Sequence, residues 1–140
     1  MLIDAAFRAV LRRAITHLGL DGDAADQVLD TGCLRIADVS FAMRLDEESR
    51  QVELRGDCGL PEAGQDTALH RHLLHQALEE EIPGLAFGLH PVSGHVVARA
   101  RLFLPAVDAD GWLLAGLLAA AMERILELRE KFTFSPEVRT

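Results

Sequence analysis

The chain has 140 residues, 49% hydrophobic and 26% charged, and its 22 acidic against 14 basic side chains leave a formal charge of −8. A chain this long buries roughly 68–70% of its unfolded surface as one domain without disulfide or metal; its apolar content excludes disorder, and its acidity excludes nucleic acid as a natural partner, since phosphate binding needs a basic face. Cys33 and Cys58 make neither a zinc pattern nor a secreted disulfide framework, and the longest apolar run, Trp112 to Met122, is too short to cross a bilayer.

Apolar residues at Ile3, Phe7, Val10, Leu11, Ala14, Ile15 and Leu18 keep to one stripe of a helix that Gly19 closes. Asp4 and Arg8 interrupt any apolar stretch there, so this segment does not read as a signal peptide. Residues 20–33 are acidic and rich in turn formers. They read as a loop with a short helical turn, Leu29 being the best buried contact. Leu34 and Ile36 fit a short strand. Val39, Phe41, Met43 and Leu45 then alternate with Ser40, Ala42, Arg44 and Asp46, and Gln51 to Arg55 alternates again, which predicts a hairpin. Gly56, Gly59, Pro61 and Gly64 mark a loop.

A second helix runs from Asp66 or Thr67 to about Glu81, ending before Ile82-Pro83-Gly84. Strands at Leu85–Leu89 and Val96–Leu104 follow, joined by His90-Pro91-Val92-Ser93-Gly94. Asp108 or Asp110 caps a last helix reaching about Lys131. Helices and strands fall into separate runs, so the fold class is α+β, helix-strands-helix-strands-helix, with an antiparallel sheet. Residues 1–132 form the single domain and 133–140 a flexible C-terminal tail, too poor in apolar side chains to pack.

The histidines are the best case for chemistry. On a helical wheel Leu69, Leu73, Leu74, Ala77 and Leu78 share a broad side centred on His70, while His72 and His75 lie opposite beside Glu79. A zinc site favours imidazoles at i and i+4 with a third ligand nearby, and the i, i+3 spacing here lacks one. His70 therefore reads as mostly buried and hydrogen-bonded, and no metal or cofactor is expected. Cys58, in Gly56-Asp57-Cys58-Gly59, has His90 or His95 as a conceivable base but no helix N-terminus to lower its pKa, and an ordinary thiol is expected.

What remains is surface. Leu85–Leu89 and Val96–Ala98 are nearly continuous apolar runs suited to strands covered on both faces. The last helix is apolar almost all round from Trp112 to Met122 and reads as buried on more than one side. A symmetric homodimer hides these surfaces economically; a compact monomer is the alternative.

Over about residues 2–131 the element order, size and acidity resemble the small dimeric chaperones of bacterial type III secretion that serve individual effectors, the class I, Tir-chaperone-like family. The resemblance rests on the opening helix with Phe7, Leu11 and Leu18, the strand pair Val39–Leu45 and Gln51–Arg55, the Leu73-Leu74 pair, the strands Leu85–Leu89 and Val96–Leu104, and the leucine-rich last helix. It implies a twisted antiparallel sheet, a homodimer in the bacterial cytoplasm, and no enzymatic activity. The partner it implies is a cognate secreted effector, whose N-terminal segment is held extended, soluble and secretion-competent, with transient contact to the secretion ATPase and no membrane insertion. By the same analogy a client groove lies between the first helix and the early strands, at Ile3, Phe7, Leu11, Phe41, Met43 and Leu45, with ordinary core as the competing reading. The dimer contact falls on His70, Leu73, Leu74, Ala98, Ala100 and Leu102, and His70 near the twofold axis makes dimerisation acid-sensitive. A small intracellular adaptor for a folded protein, and a small hydrolase or isomerase using His70, His90 or His95, stay open beside it.

Overall fold

A computed structural model describes residues 5–46, 48–79, 84–103 and 110–135. The apolar stripe of the first segment becomes α1 (Ala5–His17), which buries Phe7, Val10, Leu11, Ala14 and Ile15. Residues 20–33 are more ordered than expected. Asp23–Thr31 is a full helix, α2, with Asp23 and Asp26 in its first turn, where the helix dipole favours carboxylates. Gly32 ends it in the left-handed region (φ 73°) and donates its N–H to the Val28 carbonyl. Ala25 and Val28 are its buried side chains, and Leu29 is only half-buried. The short helix was obscured because its inward stripe holds small residues.

Strands β1 (Cys33–Ile36) and β2 (Val39–Asp46) pair antiparallel through a tight turn in which Ala37 and Asp38 both take positive φ. Next, β3 (Gln51–Pro61) runs six residues past the expected strand end, through the glycines read as a loop. Those glycines serve the strand. A Cβ on Gly56 would lie 2.5 Å from the Ile125 side chain and 2.9 Å from Phe41, so only glycine lets a helix settle there. Gly59 (φ 107°) stands at a register shift in the pairing with β5, a bulge held by Asp57, whose Oδ1 accepts the Gly59 N–H at 2.8 Å.

Then follow α3 (Asp66–Glu79), β4 (Ala86–Leu89), β5 (Val96–Phe103), α4 (Trp112–Lys131) and β6 (Phe134–Ser135). Residues 80–83 and Leu104, expected to end the second helix and the last long strand, and Asp108, an expected cap, lie outside the described residues. The α4 N-cap is Gly111 (φ 78°), with no side-chain cap. A Cβ there would meet the α1 backbone, 2.7 Å from Ala14 N and 2.8 Å from Val10 O. Among the described residues the antiparallel sheet has the order β1-β2-β3-β5-β4, with β6 beside the far end of β3. The α+β class expected from the sequence is found.

Residues 133–135, placed in the tail by the sequence, are paired with the body of the protein. Phe134 and Ser135 pair with Pro61 and Leu60, Thr133 O accepts the Glu62 N–H, and the Gln65 amide exchanges hydrogen bonds with the Thr133 backbone. Main-chain pairing holds this segment where apolar content alone does not. Residues 136–140 lie outside the described residues.

One sheet face packs on the helices. Leu34, Ile36, Val39, Phe41, Met43, Val52, Leu54, Val96, Ala98 and Ala100 meet Leu114, Leu118, Ala121, Ile125 and Leu128 of α4, with α1 packed across α4. Arg129, in the last turn of α4, pins that helix to the sheet. Its guanidinium donates to the carbonyls of Cys58 (3.1 Å), Asp57 (3.1 Å) and Asp38 (3.3 Å).

Candidate functional site

The residues that suggested nucleophilic chemistry are used structurally. Cys58 is fully buried, and loss of solvent pushes its thiol up to about 12; Arg129 offsets this only in part and Asp57 adds to it. A thiol so far above neutral pH is not a ready nucleophile. His95 is buried, and its Nδ1 lies 3.0 Å from both Asp57 carboxylate oxygens. His90 shapes its turn, with Nδ1 accepting the N–H groups of Val92 (3.3 Å) and Ser93 (3.2 Å). No group of three metal-ligating side chains converges among the described residues.

The expected client groove is not open. Phe7, Leu11, Phe41 and Met43 belong to the core, at 5%, 0%, 1% and 6% exposure, because the apolar face of the hairpin turns toward the helix layer. Leu45 is half-buried at the rim, and Ile3 lies outside the described residues. Ala98 and Ala100, expected at a dimer contact, face the same interior. Small side chains at these positions let α4 approach β5, a packing demand that period-2 alternation does not distinguish from contact with a second chain.

On α3 the wheel is turned from the expected setting. The inward stripe is Leu69, His72, Leu73 and Gln76, of which only Leu69 is fully buried. His72 rests against Phe132, ring centroids 5.6 Å apart, and burial, followed by the nearby Lys131 charge, lowers its pKa below the usual imidazole value. His70 is exposed, not buried as expected. It shares the outward stripe with Leu74 and Leu78, 68% and 86% exposed, which form with Thr67, Arg71 and His75 an open trough of about 440 Å³. Leu102 is half-buried against the core. Two leucines this exposed one helical turn apart make an apolar strip that no described residue covers.

The sheet offers two further surfaces. β1 and β4 end the strand order, each hydrogen-bonded to a strand on one side only among the described residues. β4 is also largely exposed, contrary to the expectation of a strand covered on both faces. No described helix is long and apolar enough to cross a membrane.

No family model and no curated protein matches the sequence. Solved structures do. A chain of the HopA1–SchA chaperone–effector complex matches with a TM-score of 0.62 at 16% identity, over 92% of this chain and 99% of that one. The Yersinia pestis type III secretion chaperone SycH, in complex with a stable fragment of YscM2, gives a TM-score of 0.61 at 15% identity, over 87% and 98%. The ExoT–SpcS complex from Pseudomonas aeruginosa gives 0.57 at 16% identity, over 93% and 99%. The shared feature is the fold: this chain has the α+β architecture of the type III secretion chaperones.

Proposed function

We propose that this protein is a non-catalytic, cytoplasmic chaperone of type III secretion that holds the N-terminal segment of a cognate effector in extended form, keeping it soluble and secretion-competent. One observation carries the reading. The fold likeness runs nearly end to end with chains from chaperone–effector complexes, with 92% of this chain and 99% of the matched chain aligned in the first of them. The surfaces suit the task. The one-sided β1 edge can accept a client strand by main-chain hydrogen bonding, which tolerates varied client sequence.

The protein acts as a homodimer joined through the outward stripe of α3, His70, Leu74 and Leu78. Covering a leucine is worth about 1.5–3 kcal/mol, so an uncovered pair is a strong incentive to associate. The buried Cys58 thiol and the structural engagement of His90 and His95 favour binding over catalysis.

The test is co-expression with the product of the neighbouring reading frame, followed by affinity capture and limited proteolysis. Protection of a short N-terminal stretch of the captured protein is expected. Protection of a folded domain instead would identify an adaptor, and absence of capture would count against both.

A further inference from the structure

The outer face of the sheet carries a charge pattern opposite to that of the whole chain. Strand register sets Arg44, Glu53 and Arg101 in one cross-strand row, and Ala42, Arg55, Arg99 and Ala86 in another. Glu53 is the hub. Its Oε1 accepts the Arg55 Nε–H at 2.8 Å and lies 3.8 Å from Arg99 Nε, while Oε2 lies 3.5 Å from Arg44 Nη2 and 3.6 Å from Arg101 Nη2. The Glu53 side chain is 13% exposed, whereas the four arginines are 46–74% exposed. Four guanidiniums meet one carboxylate at the hub, and Asp46, beside Arg44 on the same face, offsets one more charge, so the patch keeps an excess of two positive charges on a chain of net charge −8.

A carboxylate offers about four acceptor positions and each guanidinium about five N–H donors, so Glu53 satisfies only a small share of the donors around it. Ala42 and Ala86 flank the arginine pair and leave room for a backbone to approach.

We propose that this face docks an acidic polypeptide segment in extended form, with Glu53 holding the arginines in place as an internal competitor. The spacing selects the ligand. Arg99 and Arg101 are two residues apart on one strand, roughly 6.8 Å, which is the separation of alternate side chains in another extended chain. A segment with Asp or Glu at i and i+2 therefore meets both, each as a charge-assisted pair that Arg can make bidentate. Nucleic acid fits less well: a long phosphate backbone would run off this compact patch into the acidic remainder of the protein. The assignment rests on the client-binding reading in placing the segment on the effector, but its chemistry is tested without the effector.

The test is fluorescence anisotropy at low salt with a labelled peptide of four Glu-Thr repeats, a Lys-Thr peptide of equal length, and an oligo(dT) strand. The intact protein is expected to bind the Glu-Thr peptide and not the Lys-Thr peptide. Arg99→Gln with Arg101→Gln weakens binding about tenfold with an unchanged thermal melt, and Glu53→Gln tightens it severalfold while lowering the melt, since it removes the counter-charge the four arginines share. A second pair, Arg44→Gln with Arg55→Gln, gives the same weakening should the first pair not fold. Glu-Thr binding indifferent to these substitutions, no Glu-Thr binding, or oligo(dT) bound as tightly as the peptide would each overturn the proposal. Effector capture that persists while peptide binding fails sinks this inference alone; peptide binding without effector capture sinks the function reading alone.

Discussion

The helices α3 and α4 both carry leucine at three- and four-residue intervals, yet α4 buries seven residues and α3 one. The difference lies in what each faces. α4 lies between the sheet and α1, so a wide apolar surface finds partners on two sides. Among the described residues, α3 turns Leu69, His72, Leu73 and Gln76 inward and a second apolar stripe outward. Similar spacing thus makes an internal keel in one place and a surface awaiting cover in the other.

The largest effect is expected from α4. Leu118 has no exposure, so Leu118→Ala removes buried methyl groups and leaves a cavity, costing about 2–5 kcal/mol in urea unfolding. A loss near zero would mean that α4 is not the keel. On α3 the converse holds. Leu74→Asp with Leu78→Asp is expected to leave folding stability within about 0.5 kcal/mol while moving the sedimentation coefficient from two chains to one. A large stability loss in the single chain would show that the stripe packs internally.

Thiol labelling then reads how firmly α4 is held. At pH near 8, exposed Cys33 is expected to react with a disulfide reagent, while Cys58, buried with its thiol pushed up to about 12, stays silent until the protein unfolds. Arg129→Met, which removes the three carbonyl bonds at the end of α4, should make Cys58 measurably faster to label.

The smallest effect concerns the inner side of α3. The folded-state pKa of His72 lies below its unfolded value of 6.5. The unfolded chain therefore binds the proton more readily, and this contribution to stability is complete above about pH 6.5 and is lost as pH falls toward the folded pKa. Urea midpoints at about pH 7.5 and about pH 5.5 should differ more for the natural protein than for His72→Gln; the reverse order would place His72 in a charge-stabilising site.

The sequence made the fold class readable because α1, β2, β5 and α4 each carry a clear period of apolar residues. It left α2 obscure, since Ala25 and Val28 make a weak stripe, and it truncated β3, since a glycine required by the close approach of Ile125 looks like a breaker when its neighbour is unknown. The site was less legible. Phe41 and Ala98 alternate as an exposed binding face would, and only the packed helix layer shows that they point inward. The orientation of α3 departs from its apolar pattern because His72 and Gln76, polar on any scale, occupy inward positions while Leu74 and Leu78 face out. Arg129 gave no signal at all, its acceptors lying 71 to 91 residues back along the chain.

The way Arg129 is engaged has an evolutionary corollary. Its guanidinium grips peptide oxygens, which every amino acid supplies, so the grip itself does not depend on the side chains at positions 38, 57 and 58, whatever other roles those side chains have. The arginine itself has no such latitude. Lysine presents a compact ammonium instead of a planar fork and cannot span three divergent carbonyls at once, so among variants of this chain the anchor is expected to outlast the chemistry of the residues it anchors.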